Sequence, residues 1–233
     1  MKEYRYETHI HSSPCSKCGW ESIETMVDAS IEAGYAGFII TNHFYIGNSG
    51  IDRELPWEEF VGAYAEDYER GRKYAQARDF DVLFGLECGY GGGKEALIYG
   101  LSPEVVATLP AFKTADLSTL SAMVHAHGGL VFHAHPFRNR PYIEDPDKEP
   151  DPTLIDGVET YNAENPDDRN AIAEAYAEKY HLPPLSGGDV HKREKVGHAG
   201  IITTKRLRTN ADLLEVLKSG DYQLILPEKE PEK

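Results

Sequence analysis

Tyr4-Arg5-Tyr6-Glu7-Thr8-His9-Ile10-His11 is a short strand-like run that ends on two histidines, and its continuation decides the fold. Residues 22–33 have helical period and stop at Gly34, and a second apolar run, 36–41, leads straight into Asn42-His43. The unit is therefore strand, helix, strand, with each strand closing on a metal-type side chain. It recurs outward along the chain. Further strand-like runs lie at 82–86, 96–99, 130–134, 157–161, 184–186, 201–203 and 223–226, and helical segments at 56–77, 116–127, 167–181 and 210–219. Such alternation predicts an α/β fold with a mostly parallel sheet, either a barrel or a doubly wound sheet.

A chain of 233 residues with 40% apolar and 27% charged residues is long enough for one sizeable core. No Gly/Ser linker or change in composition marks a boundary, so one domain is expected over 1–226, with a charged tail at 227–233. Residues 140–152, rich in Pro, Asp and Glu, read as an exposed loop, either a surface excursion or a lid. No apolar run approaches the roughly 20 residues that cross a bilayer. The strand pattern begins at once, leaving no room for a secretory signal, and the three cysteines form no paired framework; a cytoplasmic protein is expected. The formal net charge of −15 repels nucleic-acid backbones and demands a locally positive site for any anionic substrate. Oligomeric state is not legible in the sequence.

The informative pattern is where the histidines and carboxylates fall. His9 and His11 close the first strand, His43 the second and Glu87 the third. His133 and His135 close a later one, and Asp189 and His191 come just after another. In a parallel α/β fold the carboxyl ends of all strands open on one face, so residues more than a hundred positions apart converge there. Neutral imidazole and carboxylate suit zinc, iron or manganese. Within a strand, residues two apart share a face, so His9 with His11, and Asp189 with His191, can serve one centre.

In order along the chain, His9-Ile10-His11, Thr41-Asn42-His43, Gly85-Leu86-Glu87, Ala134-His135-Pro136-Phe137-Arg138 and Gly188-Asp189-Val190-His191 resemble the motifs of the PHP (polymerase and histidinol phosphatase) superfamily, over about residues 4–203. The resemblance implies a distorted seven-stranded β/α barrel, TIM-like, with two or three divalent ions (Zn, Mn or Fe). It implies His9, His11, Glu87 and Asp189 around a first ion, Glu87 bridging to a second that His135 also binds, and His43 and His191 on a third. Two family positions lack their usual residue. Where an Asp or His normally comes after the first motif, this chain has Ser13-Pro14-Cys15-Ser16-Lys17-Cys18, so Cys15 or Cys18 can stand in as a soft ligand. Where a histidine normally comes about ten residues after the bridging Glu, Glu95 to Gly100 has none, and His133 can fill the gap.

The reaction expected from the resemblance is hydrolysis of a small phosphomonoester, histidinol-phosphatase-like in type, by a metal-bridging hydroxide. Arg138 is the candidate for gripping phosphate oxygens in two parallel hydrogen bonds, against a bland role pairing with the acidic loop. His191 is the candidate acid for the leaving alkoxide. The same ligands also suit a phosphodiester or amide, or a metal-binding domain without turnover. Lys17, Arg140, Lys192 and Arg193 rank below Arg138. His125, His127 and His181 end helices, where a cation suits the dipole, and His198 is a weaker substrate contact. Cys15-x-x-Cys18 before a helix also admits redox chemistry. Gly89 to Gly93 lacks the subsequent helix of a phosphate loop and reads as a flexible turn beside Glu87. Glu159, Tyr161 and Asn162 end a strand and either face the site or pack.

Overall fold

The computed structural model describes residues 2–227; of the tail expected at 227–233, residues 228–233 lie outside the described part. Among the described residues there are nine strands: β1 (Tyr4–Ile10), β2 (Gly37–Ile40), β3 (Asp81–Gly91), β4 (Lys94–Tyr99), β5 (Leu130–His133), β6 (Gly157–Asn162), β7 (Pro184–Gly187), β8 (Gly200–Thr203) and β9 (Tyr222–Ile225). Six α-helices accompany them: α1 (Ile23–Glu32), α2 (Trp57–Ala75), α3 (Pro103–Ala107), α4 (Leu117–Ala126), α5 (Asp167–Tyr180) and α6 (Asn210–Ser219). Local chemistry sets the helix starts. Ser22, Ser102 and Asp116 each accept a hydrogen bond from a backbone N–H of the first turn, and Thr209 with Asp212 forms a reciprocal capping box on α6.

The strands form one sheet in the order β7-β6-β5-β4-β3-β2-β1-β8-β9. It curls until its β7 side meets β1. Thr8 Oγ1 donates to Ser186 O at 2.6 Å, and past β7 the chain pairs with the end of β1, His11 N to Val190 O at 2.8 Å and Val190 N to His9 O at 3.1 Å. Strands β1 to β7 thus make a nearly closed barrel, as expected. Two expectations need correction. There are nine strands rather than seven, because β8 and β9 form an antiparallel pair on the first half of β1, where Tyr4 to Tyr6 would otherwise be an open edge. The sheet is also not mostly parallel: β3–β4, β4–β5, β1–β8 and β8–β9 are antiparallel.

That mixture has a local cause. Gly91, Gly92 and Gly93 all have positive φ and turn β3 back on itself, so β4 returns as a hairpin instead of crossing over. Gly85 pairs with Tyr99 and Glu87 with Leu97. At the other end of the barrel, Leu213, Val216 and Leu217 of α6 pack on Tyr6, Ile39, Leu83, Tyr99 and Phe132 and close the floor. Each such buried side chain contributes roughly 1.5–3 kcal/mol. The opposite mouth is where the strand-end histidines collect.

Candidate metal centre

His9 lies in β1 and His11 just beyond it; His43 comes after β2, Glu87 lies in β3 and Glu95 in β4, His135 comes after β5, and Asp189 and His191 after β7. These side chains meet. Glu87 is the hub: its carboxylate oxygens lie 3.3 Å from His9 Nε2, 3.5 Å from His11 Nε2, 2.8 Å from His43 Nδ1 and 3.0 Å from His135 Nε2. Asp189 Oδ1 lies 3.5 Å from His9 Nε2 and 3.2 Å from His11 Nε2. Four overlapping groups can hold an ion: His9/His11/Asp189, His9/Glu87/His135, His43/Glu87/Glu95 and His11/His43/His191, the donor atoms of each lying within 4.8 Å of one another.

Hydrogen-bond accounting tests whether cations fit. Among the described residues, seven buried side-chain N or O atoms have no hydrogen-bond partner, and four of them (His9 Nε2, His11 Nε2, His43 Nδ1 and Glu87 Oε2) sit in this one cluster. Each orphaned buried group costs about 1–3 kcal/mol if nothing satisfies it. They approach one another closely without hydrogen-bond geometry, which is how lone pairs aimed at a common centre are arranged. Imidazole and carboxylate donors fit divalent ions, and no other group among the described residues is placed to satisfy these atoms.

The hydrogen bonds around the cluster fix which ring nitrogen faces inward. His9 Nδ1 lies 2.8 Å from Glu159 Oε1, so Nδ1 carries the proton and Nε2 offers a lone pair. His191 Nδ1 donates to Asp189 O at 2.8 Å, with the same result. His11 is set by a longer relay. Asn42 Oδ1 accepts from the Ser12 backbone N–H, so it must also accept the Ser16 hydroxyl proton. Ser16 Oγ then accepts from His43 N–H and from His11 Nδ1–H, at 3.0 and 3.1 Å, leaving His11 Nε2 free. Asn42 Nδ2 is held by buried Asp67 of α2 at 3.0 Å.

The electrostatics agree. Burial alone would raise the Glu87 carboxyl, but His43, His9 and His135 hold it well below the usual carboxylate range. Burial likewise opposes ionisation of Asp189, and Arg138 and His9 overcome it. Burial, with His191 and His43 beside it, pushes His11 well below its ordinary value and keeps it neutral. Burial also opposes protonation of His9, yet Glu159, Asp189 and Glu87 draw a proton to it, raising it well above its ordinary value. A cation there competes with that proton.

Backbone strain marks the same place. Four described non-glycine residues have positive φ. Asp79 and His181 are ordinary helix-end caps, whereas His135 (φ 28°) and Asp189 (φ 50°) are candidate ligands. Such conformations cost about 1–3 kcal/mol and persist where packing over-determines them. Here Glu159 Oε2 accepts from His135 N–H at 2.8 Å.

All seven sequence-derived ligands, His9, His11, His43, Glu87, His135, Asp189 and His191, come together. His133 does not fill the gap: its Nε2 meets the Tyr90 hydroxyl at 2.5 Å and its Nδ1 the Ala134 carbonyl at 2.9 Å, away from the cluster. Glu95 occupies the gap instead, with a carboxylate oxygen 3.2 Å from His43 Nδ1 and another 3.7 Å from His135 Nε2. Cys15 is buried, with Sγ toward Tyr64 O, whereas Cys18 Sγ lies 3.1 Å from His191 Nε2. Burial raises the Cys18 thiol, but hydrogen bonds to His191 and His43 bring it down to about 6. Cys15 and Cys18 thus point to different places and do not act as a redox pair.

Arg138 is no surface residue. Its Nη2 donates to Asp189 and, at 2.9 Å, to Asn162 Oδ1, and its Nε donates to Asn165 Oδ1 at 3.0 Å. With Lys94, Tyr142, Glu95, Asp189 and His191 it lines a cavity of about 510 Å3 at the barrel mouth. Glu159 and Asn162 support the site, while Tyr161 does not line this cavity. Nor do Lys17, Arg140, Lys192, Arg193 or His198. The strand β3 runs on through Gly89 and Gly91, so the glycine stretch is a hairpin wall, not a loose turn; a side chain at Gly89 would collide with Ile46 O. The 140–152 loop is pinned from beneath: Lys94 Nζ donates to Lys148 O at 3.0 Å and Tyr176 donates to Pro150 O at 2.8 Å.

Residues 167–222 match a family of PHP-associated sequences, and the whole barrel superposes on a protein described as containing a predicted PHP-like phosphoesterase. The chain has the PHP fold. A two-domain protein from Bacteroides vulgatus containing a predicted PHP-like metal-dependent phosphoesterase shares 14% identity and a TM-score of 0.71 over 97% of this chain and 65% of its own length, so this chain spans about two thirds of that protein. An amidohydrolase from Chromobacterium violaceum, with sulfate bound and no metal, shares 16% identity and a TM-score of 0.57 over 91% of this chain and 96% of its own. The lesion-specific endonuclease PfuEndoQ from Pyrococcus furiosus shares 11% identity and a TM-score of 0.66 over 96% of this chain and 58% of its own. No curated protein sequence matches the chain. Proteins similar in fold to this chain thus include several kinds of hydrolytic enzyme, and the choice among chemistries lies in the site.

Proposed function

We propose that the protein is a metal-dependent phosphoesterase that hydrolyses a small phosphomonoester. The observation that carries this reading is the Glu87-centred cluster of orphaned lone pairs beside two cationic side chains, Arg138 and Lys94, at one confined cavity. Divalent ions held by His9, Glu87, His135 and Asp189 would lower the pKa of water to near neutrality and offset phosphate charge. The chain's own residues do the rest. Arg138 lines the cavity but spends Nη2 on Asp189 and Asn162 and Nε on Asn165, so only Nη1 is left for a phosphate oxygen, in place of the two parallel hydrogen bonds expected of it. Lys94 adds a second positive charge, its ammonium held by Pro136 O at 2.8 Å.

The family resemblance offers His191 two roles, ligand and acid. Its Nδ1–H is committed to Asp189 O, leaving Nε2 as its one outward atom, and we assign it the ligand role. A cavity of about 510 Å3 suits a small molecule. The net charge of −15, and Glu144, Asp145 and Glu149 in the adjoining loop, oppose a polyanionic strand, so a small substrate is favoured over nucleic acid.

The test is a panel of phosphomonoesters, phosphodiesters and amides on metal-loaded protein. Monoesters should turn over best, and Glu87→Gln should abolish turnover while far-ultraviolet circular dichroism stays unchanged. Preferred cleavage of diesters or amides, or full activity in Glu87→Gln, would refute the assignment.

A further inference from the structure

We propose that Cys18 is a thiolate ligand of the cation held by His11, His43 and His191, a soft position set beside the carboxylate-rich positions around Glu87. The proposal rests on the metal reading above and adds a residue that the four metal groupings do not contain.

The geometry is specific. His11 and His191 stack with ring centroids 4.2 Å apart, and His43 lies 4.6 Å from His11 on the same side. Their three donor nitrogens lie within 4.8 Å of one another. Buried His11 Nε2 has no hydrogen-bond partner, and the Asn42–Ser16 relay keeps it unprotonated. His191 Nε2 is a lone pair by the same logic, and the atom it faces is Cys18 Sγ at 3.1 Å. Three imidazole nitrogens thus converge on one region, and sulfur stands against its His191 side.

The segment bearing Cys18 is held in register on both flanks. Lys17 N donates to Asn48 O at 2.9 Å and Trp20 N donates to His191 O at 3.0 Å. Between them Gly19 runs so close to Ser12 that a Cβ would lie 2.7 Å from its carbonyl carbon. The sulfur is therefore placed by the backbone. Cys15 has no such access, being buried against α2. A three-imidazole, one-thiolate set is a tetrahedral, borderline-soft environment suited to zinc or cobalt, whereas two carboxylates with imidazoles suit harder ions. The mouth of the barrel thus offers two kinds of position.

Cobalt(II) reports the sulfur directly. The chelated full chain refilled with cobalt should show d–d bands together with a near-ultraviolet thiolate-to-metal charge-transfer band. Cys18→Ser should keep d–d bands, lose the charge-transfer band and bind zinc at that position at least about 10-fold more weakly. An independent readout needs no variant. Cys15 and Cys88 are buried and Cys18 is partly exposed, so iodoacetamide should add one label, at Cys18, and zinc should block it. Cobalt d–d bands without charge transfer in the unmodified protein, or labelling unchanged by zinc, would overturn the Cys18 assignment and leave the carboxylate centre standing. A chain that takes up no cobalt at all would instead overturn the metal reading itself.

Discussion

The molecule contains two His-x-His pairs at strand ends, and they behave differently. In the first, His9 and His11 both deliver Nε2 to the cluster, with ring centroids 5.1 Å apart. In the second, His135 reaches Glu87 while His133 turns away to Tyr90. The reason lies in the backbone. In the first pair β1 ends at Ile10, but its pairing with Val190 continues through His11, whose N–H is held by Val190 O at 2.8 Å, so the chain stays extended and both rings reach the cluster. The second pair straddles a strand end: β5 stops at His133, and His135 adopts φ 28°. Spacing predicts a shared face only while the strand lasts.

The contrast can be broken most forcefully at its matched members. His135→Ala should cost more metal affinity than the roughly 10–100-fold typical of residues that merely support a ligand, whereas His133→Leu should leave affinity within a few-fold. Isothermal titration with zinc on both variants decides this, and similar losses in the two would show that the pair acts as one unit. A middle-sized effect is expected at the residue that sets the His9 tautomer. Glu159→Gln should weaken metal binding about 10–100-fold without unfolding the chain, measured by the same titration. An unchanged affinity would mean that His9 needs no proton acceptor behind it.

The smallest effect concerns His133 itself. Burial drives its pKa down to about 3, so it is neutral when folded, while the unfolded chain takes up a proton below about 6.5. The unfolded state therefore binds more protons in that window, so this group's contribution is complete above about pH 6.5 and is lost as pH falls toward 3. At pH 5 the loss is about 2 kcal/mol relative to pH 8. In metal-free protein, urea unfolding at both values should show His133→Leu gaining by about that much on the parent at the lower pH. Parallel profiles would rule out His133 as the titrating group.

Much of this architecture is legible in the sequence. The nine apolar runs and five long helical segments correspond to observed elements, and seven ligand candidates meet, because strand-end placement survives even when the strand order is unknown. Strand pairing is not legible in the same way. A mostly parallel sheet, the expectation from simple alternation, makes Glu95 the charged start of an unrelated strand. In the β3–β4 hairpin, however, Glu87 faces Leu97 and Gly89 faces Glu95. Two-residue alternation then puts Glu95 on the face of Glu87. The signal is present in Gly91-Gly92-Gly93, a run that permits a tight reversal, but turn chemistry alone does not say whether the returning strand pairs. Similarly, the choice between Cys15 and Cys18 depends on how residues 12–20 fold back on Asn48 and His191, contacts that no periodicity encodes.

Glu159 ties together the two kinds of group at the barrel mouth. Its Oε1 meets His9, while Oε2 accepts from His135 N–H and from Asn162 Nδ2, and Asn162 Oδ1 in turn holds Arg138. Cation-binding and anion-facing groups are thus strung on a single short relay. Any coupling between the two positions along that relay is symmetric: whatever factor the metal lends to an oxyanion, the oxyanion returns to the metal.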